Sequence, residues 1–275
     1  MSAFNAIKMD GLGNDFVIFD ARNQNLSFSK KELIKIADRK FIGCDQVILL
    51  KNDNDSDAYL SFFNSNGEEA SACGNGSRCV SYLLGKEKNK NKITIKTKGG
   101  ILNADILEEK IVRMNIGKPK FLWNEIPLNK KMESENLKIK IYDLNNNIHK
   151  GGYAVNVGNP HAVFFVNNCD SFDLKKIGPE IENHKIFPEK CNVSLAEIKN
   201  KSLIKLKVWE RGAGITKACG TAACAVAAVA IKNKLTERKI DIKFELGVLN
   251  IELDQNSNIF MQGPVSDIKN IKVIL

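Results

Sequence analysis

The sequence predicts an α+β protein made of two similar mixed α/β domains, and an internal repeat is the main evidence for this. Sliding the chain against itself by 146 residues places Ala72-Cys73-Gly74 on Ala218-Cys219-Gly220. The same offset places the strand-like segment Leu60–Asn64 on Leu206–Glu210. Predicted helices and strands also occur in the same order in both halves. A repeat of this kind indicates a duplicated structural unit.

The first half begins with a helix whose start is marked by a capping box. Ser29 and Glu32 have the spacing with which a helix N-terminus satisfies its unpaired N–H groups. Alternating apolar residues then predict short strands, and the Cys-Gly pair precedes a second helix. The predicted elements are helix Lys30–Lys40, strands Gln46–Leu50 and Ala58–Asn64, helix Asn75–Leu84, and strands Ile93–Thr97 and Ile111–Ile116.

The second half gives the same series. Its predicted elements are helix Phe172–Asn183, strands Asn192–Ile198 and Lys205–Glu210, helix Thr221–Leu235, and strands Val248–Leu253 and Ile259–Met261. With an offset one residue shorter, Gly13-Asn14 falls on Gly158-Asn159. The Pro- and Lys-containing stretch Lys118–Glu135 is therefore the expected boundary between the domains.

Composition argues against several classes of protein. The net charge of +9 comes mostly from lysines scattered along the chain, without the clustered basic stripe of a nucleic-acid-binding protein. The longest apolar run, Ala222–Ile231, is about half of the roughly 20 residues that span a bilayer. No signal peptide is recognisable near the N-terminus. We expect a cytoplasmic protein that binds neither nucleic acid nor membrane.

The cysteines do not form a disulfide or zinc pattern. Their number is odd, seven, and no two have C-x-x-C spacing. Only three histidines are present, so no metal site is predicted. Cys44, Cys79, Cys169, Cys191 and Cys224 are interpreted as structural.

Cys73 and Cys219 differ from the other cysteines because each precedes a glycine at a predicted helix start. Unpaired N–H groups and the helix dipole favour negative charge there, and should lower the thiol pKa from about 8.5 toward neutrality. Two such starts would hold a carboxylate between one thiolate and one thiol. That pair can remove a proton from one face of a carbon and return one to the other. The sequence therefore predicts an amino-acid epimerase with no cofactor.

Five motifs extend the argument over nearly the whole chain. Lys8–Phe16 (KMDGLGNDF), Phe63–Cys79 (FNSNGEEASACGNGSRC), Gly158–His161 (GNPH), Trp209–Ala225 (WERGAGITKACGTAACA) and Gly263-Pro264 resemble, in order and spacing, the signatures of the diaminopimelate epimerases.

This resemblance implies a function and an architecture. The family converts LL-diaminopimelate to the meso form in lysine and peptidoglycan-precursor synthesis, without pyridoxal phosphate or metal, and as a homodimer. Its two domains each wrap a mixed, mostly antiparallel sheet around a central helix. By that pattern, residues 1–118 and 264–275 form the N-terminal domain with the first catalytic cysteine. Residues 119–263 form the C-terminal domain with the second.

The resemblance also implies the site residues. Cys73 and Cys219 are the expected acid/base pair, and His161 and Glu210 are hypothesised to tune them, because these two positions differ between the repeats. The expected substrate-binding residues are Asn14, Gln46, Asn64, Gly74, Asn75, Asn159, Asn192, Glu210, Arg211, Gly220 and Thr221.

Three alternatives remain at this stage. A proline or hydroxyproline racemase would keep the two-thiol chemistry and change the substrate. A thiol redox protein would join Cys73 to Cys219 by a disulfide. A catalytically dead binding module would keep the fold alone, although two intact cysteines argue against it.

Overall fold

A computed structural model describes residues 3–275, so the first two residues of the predicted N-terminal domain lie outside the described residues. The chain divides into two compact units. Unit 1 contains the described residues up to Asn115 together with Gln262–Leu275, and unit 2 is Ile116–Met261.

Within residues 3–275 the chain forms nineteen strands and four α-helices. The helices are α1 (Lys30–Ala37), α2 (Gly74–Lys88), α3 (Leu174–Glu182) and α4 (Gly220–Lys232), with a short 3-10 helix at Cys169–Ser171. The first eight strands are β1 (Ala3–Gly11), β2 (Asn14–Asp20), β3 (Gln46–Lys51), β4 (Ala58–Asn64), β5 (Glu69–Ala70), β6 (Lys92–Thr97), β7 (Gly100–Glu108) and β8 (Ile111–Gly117). The others are β9 (Ile139–Tyr142), β10 (Ile148–Gly151), β11 (Tyr153–Asn156), β12 (Pro160–Phe165), β13 (Asn192–Asn200), β14 (Leu203–Glu210), β15 (Gly214–Thr216), β16 (Lys239–Phe244), β17 (Gly247–Leu253), β18 (Ile259–Pro264) and β19 (Lys269–Ile274).

The strands of unit 1 pair mostly antiparallel. β19 pairs with β1, β1 with β2, β3 with β4, β6 with β7, and β7 with β8. Two pairs are parallel, β2 with β3 and β4 with β6. Unit 2 has the same alternation: β12 and β13 are parallel, β14 and β16 are parallel, and β13–β14 and β16–β17 are antiparallel.

Strand register reproduces the sequence repeat residue by residue. In unit 1, Phe62 on β4 pairs with Ala70 on β5. In unit 2, Val208 on β14 pairs with Thr216 on β15. Both pairs are related by the same offset of 146 residues that aligns the two Cys-Gly sequences. The two halves therefore share one topology.

Each unit has one helix buried against its strands. In α2 the segment 74–82 is buried, and α2 packs against β1, β2, β6 and β7. In α4 nearly every residue is buried against β11, β12, β13, β16 and β17. Alanine and glycine suit this position because small side chains allow strands to approach on all sides. A Cβ on Gly76, for example, would lie 2.9 Å from Ile48 and Phe62.

The predicted helices are confirmed, with shifted ends. α1 has the expected capping box, with Ser29 accepting from the N–H of Glu32, but it ends at Ala37 because Asp38 has an extended conformation. α2 continues beyond Leu84 to Lys88 and ends at Asn89, which adopts the left-handed conformation (φ 52°) that suits asparagine at a helix C-terminus. Among residues 3–275, the structure has no helix of the length and hydropathy needed to cross a membrane.

Candidate active site

In unit 1 the predicted site residues gather at one end of the sheet. Asn14 begins β2, Gln46 begins the parallel strand β3, and Asn64 ends the antiparallel strand β4. Gln46 and Asn64 are paired in register, and the amide of Gln46 donates to the Asn64 oxygen at 2.8 Å. The parallel and antiparallel pairings thus bring these polar side chains to the same sheet edge.

Cys73 is the N-cap residue of α2. Its backbone is extended (φ −143°, ψ 115°), and its sulfur accepts a hydrogen bond from the Gly76 N–H at 3.5 Å. The Asn14 side-chain oxygen lies 3.9 Å from the same sulfur. Asn75, in the first turn of α2, donates to that oxygen at 3.2 Å. Asn14, Cys73 and Asn75 therefore form one contact group in unit 1.

Unit 2 brings its predicted residues into a similar arrangement. His161 on β12 is fully buried, and its Nε2 lies 2.8 Å from the Asn159 oxygen. Asn192 begins β13, with its amide nitrogen 3.4 Å from the same Nε2. The Asn192 oxygen accepts from the backbone N–H of Arg211 at 2.9 Å. The guanidinium of Arg211 donates to the Glu189 carbonyl at 2.8 Å.

His161 is held in its neutral form. Burial, followed by the positive charge of Arg211, lowers its pKa to about 3. Its Nδ1 is buried and has no hydrogen-bond partner within the described part of the chain. A neutral imidazole keeps one nitrogen as an acceptor, so this position can accept a hydrogen bond but does not supply a positive charge.

Cys219 is the N-cap residue of α4, with backbone angles (φ −136°, ψ 114°) close to those of Cys73. Its surroundings differ. The residue is 5% exposed, and its sulfur lies 3.4 Å from the Thr221 hydroxyl. Burial, then the negative charge of Glu210, raises the thiol pKa well above its ordinary value. The expectation that a helix start lowers this pKa is wrong for Cys219, because desolvation and a neighbouring carboxylate outweigh the helix dipole.

Glu210 is the last residue of β14, and Arg211 begins the loop that follows it. The Glu210 carboxylate accepts from the Thr216 hydroxyl at 2.5 Å. The buried Glu182 of α3 accepts from the indole N–H of Trp209 at 2.6 Å and from the Gly212 N–H at 3.1 Å. These hydrogen bonds on both sides of Glu210 and Arg211 restrict the segment that contains them.

Gly74 and Gly220 are the first residues of α2 and α4, and Asn75 and Thr221 follow them. First-turn N–H groups have no acceptor inside their own helix, so each start offers donors to an anion. The predicted site residues of each unit thus lie at a strand end, in a loop next to one, or at a helix start.

Comparisons with known proteins decide the family. The sequence model of diaminopimelate epimerase matches residues 6–122 and 153–268. A diaminopimelate epimerase of Pelagibacter ubique (strain HTCC1062) is 57% identical over 98% of this chain and 98% of its own length. Another, of Erythrobacter litoralis (strain HTCC2594), is 42% identical over 94% of this chain and 93% of its own. The chain belongs to the diaminopimelate epimerase family.

Solved structures show that the fold of this family member is shared more widely. A hydroxyproline epimerase from Agrobacterium vitis has a TM-score of 0.71 at 12% identity, covering 99% of this chain and 92% of that one. A phenazine biosynthesis protein, PhzF family, from Bacillus anthracis has a TM-score of 0.69 at 17% identity and covers both chains completely. At these identities the likeness concerns the fold alone. Three predictions are confirmed: the family, the enzyme class (an isomerase) and the fold class.

Several residues that hold the candidate site were not predicted from the sequence. Asp45 and Arg78 contact Asn14 and Asn75, Glu182 holds the Trp209–Gly212 loop, and Thr216 binds Glu210. Only Asp45 carried a signal, a charge directly before a strand that begins with Gln46. The roles of the others depend on contacts between segments far apart in the chain.

Proposed function

We propose that this protein interconverts LL- and meso-diaminopimelate by proton transfer at one α-carbon, without a cofactor, in lysine and peptidoglycan-precursor synthesis. Family membership supports the substrate and the reaction class. The observation that carries the mechanism is the pair of N-cap cysteines. Cys73 and Cys219 occupy equivalent positions in two units of the same topology, each at the start of the buried helix of its unit.

The two cysteines are the proposed acid and base. A thiolate removes the α-proton from one face of the carbon, and a thiol on the other face returns a proton. The raised pKa of Cys219 supports the thiol as its resting form, so Cys219 is the first proton donor. Cys73 is the proposed first base, because the Gly76 N–H hydrogen bond to its sulfur favours a thiolate, although the Asn14 oxygen at 3.9 Å opposes this effect. In the reverse direction the roles exchange. General acid–base catalysis of this kind contributes roughly 10²–10⁴-fold.

The first turns of α2 and α4 are the proposed carboxylate site. Removing the α-proton pushes negative charge onto the adjacent carboxylate, and preorganised N–H donors stabilise that charge. Gly74-Asn75 and Gly220-Thr221 supply such donors at the two helix starts. Glycine at each first position allows the closest approach of a ligand to the backbone.

Neutral polar side chains are proposed to bind the remainder of the substrate. Diaminopimelate has an amino-acid group at each end, so its distal end needs both donors and acceptors. The proposed set is Asn14, Gln46, Asn64, Asn159, Asn192, Glu210 and Arg211, and Arg211 suits the distal carboxylate because a guanidinium binds it in a fork. His161 and Glu210 are proposed to set the proton affinities of the thiols unequally.

The assembly and location are also proposals. Membership of a biosynthetic enzyme family supports both a homodimer and a cytoplasmic location. Multi-angle light scattering of the full chain tests the first point: a mass near 30.6 kDa would contradict a dimer.

The proposed reaction is tested by NMR of the purified, reduced protein with LL-diaminopimelate in heavy water, with chelator and without pyridoxal phosphate. We expect deuterium at the α-position together with the meso isomer. Cys73→Ala and Cys219→Ala should each abolish inversion, whereas the control Cys44→Ala, a buried cysteine outside the proposed site, should retain it.

Three other outcomes would contradict the proposed substrate or the proposed mechanism. A folded protein that shows neither exchange nor inversion would refute the substrate assignment. Turnover of proline or hydroxyproline in its place would keep the two-thiol mechanism. Inversion in either cysteine variant would refute the two-base assignment.

A further inference from the structure

A chain of side-chain hydrogen bonds in unit 1 passes close to the Cys73 sulfur. Arg78, one turn into α2, donates to the Asn75 oxygen at 2.8 Å. Asn75 donates through its amide nitrogen to the Asn14 oxygen at 3.2 Å. Asn14 in turn donates through its nitrogen to the Asp45 carboxylate at 2.9 Å. The chain thus joins a guanidinium to a carboxylate through two amides.

The two ends of this chain force both amides into one orientation. A guanidinium can only donate, so the Asn75 oxygen must face Arg78 and its nitrogen must face Asn14. A carboxylate can only accept, so the Asn14 nitrogen must face Asp45. The two ends of the chain therefore require the same orientation of the Asn14 amide. In that orientation its oxygen faces Asn75 and Cys73. If either amide were turned over, donor would face donor or acceptor would face acceptor.

Both ends are themselves held in place. Arg78 is fully buried, and it donates a second hydrogen bond to the Pro264 carbonyl at 2.9 Å. Asp45 accepts from the Asp15 N–H at 3.1 Å with the oxygen that binds Asn14, and from Arg39 at 2.6 Å with the other. Asn14 is therefore attached at one side to the helix and at the other to an anchored carboxylate.

We propose that Asp45 is a positioning residue, which together with Arg78 at the opposite end holds the Asn14 amide with its oxygen toward the Cys73 sulfur. This rests on the proposed function in one respect, that Asn14 and Cys73 take part in the reaction. An amide oxygen 3.9 Å from the sulfur accepts from a thiol and repels a thiolate. An amide nitrogen in its place would favour the thiolate. The orientation of Asn14 thus sets the proton affinity and reactivity of Cys73.

The test is a double-mutant cycle between Asp45 and Asn14, measured as the rate of iodoacetamide alkylation of Cys73 at neutral pH. Trypsin releases Cys73 on the peptide 52–78, which contains no other cysteine, so mass spectrometry reports this thiol alone. We expect Asp45→Ala to change the rate by roughly threefold or more, equivalent to about half a pKa unit. In an Asn14→Ala background the same substitution should have no effect, because residues that act through one another are not additive.

Two further variants separate this role from other effects of the carboxylate. Asp45→Asn keeps an oxygen that accepts from Asn14, and it should restore the wild-type rate. Asp20→Ala removes a different carboxylate, at the other end of β2, where it binds Arg22 at 2.6 Å, and should leave Cys73 alkylation unchanged. Asp45 is about one-third exposed, so its replacement is expected to leave the chain folded, which thermal unfolding checks.

Three results would overturn the proposal: no change in Asp45→Ala, the same change with and without Asn14, or an Asp45→Asn variant that behaves like Asp45→Ala. Alkylation does not require turnover. A wild-type protein inactive on diaminopimelate would therefore contradict the proposed function without deciding the positioning role. In an active enzyme, we also expect the loss of kcat/KM from Asp45→Ala to disappear in the Asn14→Ala background.

Discussion

His161 on β12 lies opposite Asn192 on β13, at the register position that Phe16 and Gln46 occupy on β2 and β3. The repeat therefore places a buried, neutral imidazole in unit 2 where unit 1 has a phenyl ring. Amide side chains surround the imidazole, with Asn159 at 2.8 Å and Asn192 at 3.4 Å from Nε2. Two units of one topology thus present different polar surroundings at equivalent positions.

His161→Phe converts this position of unit 2 to its counterpart in unit 1. The variant should fold, because the equivalent site accommodates phenylalanine, but it loses the contacts to Asn159 and Asn192. We expect exchange of the α-proton to slow by roughly tenfold or more, within the range of acid–base effects. NMR exchange from the LL and meso isomers separately measures this. Unchanged exchange from both isomers would show that His161 tunes neither thiol.

His161 also makes stability depend on pH. Its pKa is about 3 in the folded protein and 6.5 when unperturbed, so below pH 6.5 the unfolded chain binds a proton that the folded chain does not. The free energy of unfolding should therefore fall as the pH drops from 6.5 toward 3, by up to about 1.4 kcal/mol per pH unit for one group.

The comparison with His161→Phe isolates this contribution. Denaturant unfolding between about pH 7 and pH 4.5 should give a shallower pH dependence for the variant than for the wild type. Other groups, such as His184, whose pKa burial also lowers, contribute equally to both proteins. Parallel curves would mean that His161 is not held neutral in the folded state.

The Glu210 carboxylate places a negative charge close to Cys219. Burial is the larger cause of the raised thiol pKa, and the Glu210 carboxylate adds to it. Glu210→Gln keeps the shape of the side chain and removes the charge, so the Cys219 pKa should fall. We expect Cys219 to be alkylated roughly threefold faster or more at mildly alkaline pH.

Glu197→Gln is the matched control for that substitution. Glu197 is a buried carboxylate of unit 2 that raises the pKa of a different thiol, Cys169. The Glu197→Gln variant should leave the alkylation of Cys219 unchanged. Tandem mass spectrometry of peptide 218–232 distinguishes Cys219 from Cys224. Equal effects of the two substitutions would argue against a specific influence of Glu210.

The order of elements was predictable because strand and helix signals are local. Alternating apolar residues and the Ser29–Glu32 capping box report on a few neighbours in the chain, and the repeat supplied a second copy of each signal. The strand register then agreed with the 146-residue offset at Phe62–Ala70 and Val208–Thr216. The ends of helices and strands were predicted less accurately, because each end depends on the backbone conformation of a single residue such as Asn89.

The environment of each site residue was not predictable in the same way. Arg78 is fully buried although nothing in its helix sequence indicates it, because its partner Pro264 lies 186 residues away. The pKa of Cys219 depends on its burial and on Glu210, and neither follows from its position at a helix start. Sequence patterns located the residues, and long-range packing decides their charge and orientation.

The packing of α3 against Trp209 is the last feature open to a direct test. A Cβ on Gly178 would lie 2.4 Å from the indole ring, so Gly178→Ala must displace Trp209 or the helix. We expect a loss of about 1–3 kcal/mol in the free energy of unfolding, typical of overpacking, together with a changed tryptophan fluorescence. Because Glu210 and Arg211 follow Trp209, KM should also rise. The control Glu180→Ala, at an exposed position of the same helix, should change stability by less than about 0.5 kcal/mol. Equal stability of the two variants would show that the helix and the indole are not in close contact in solution.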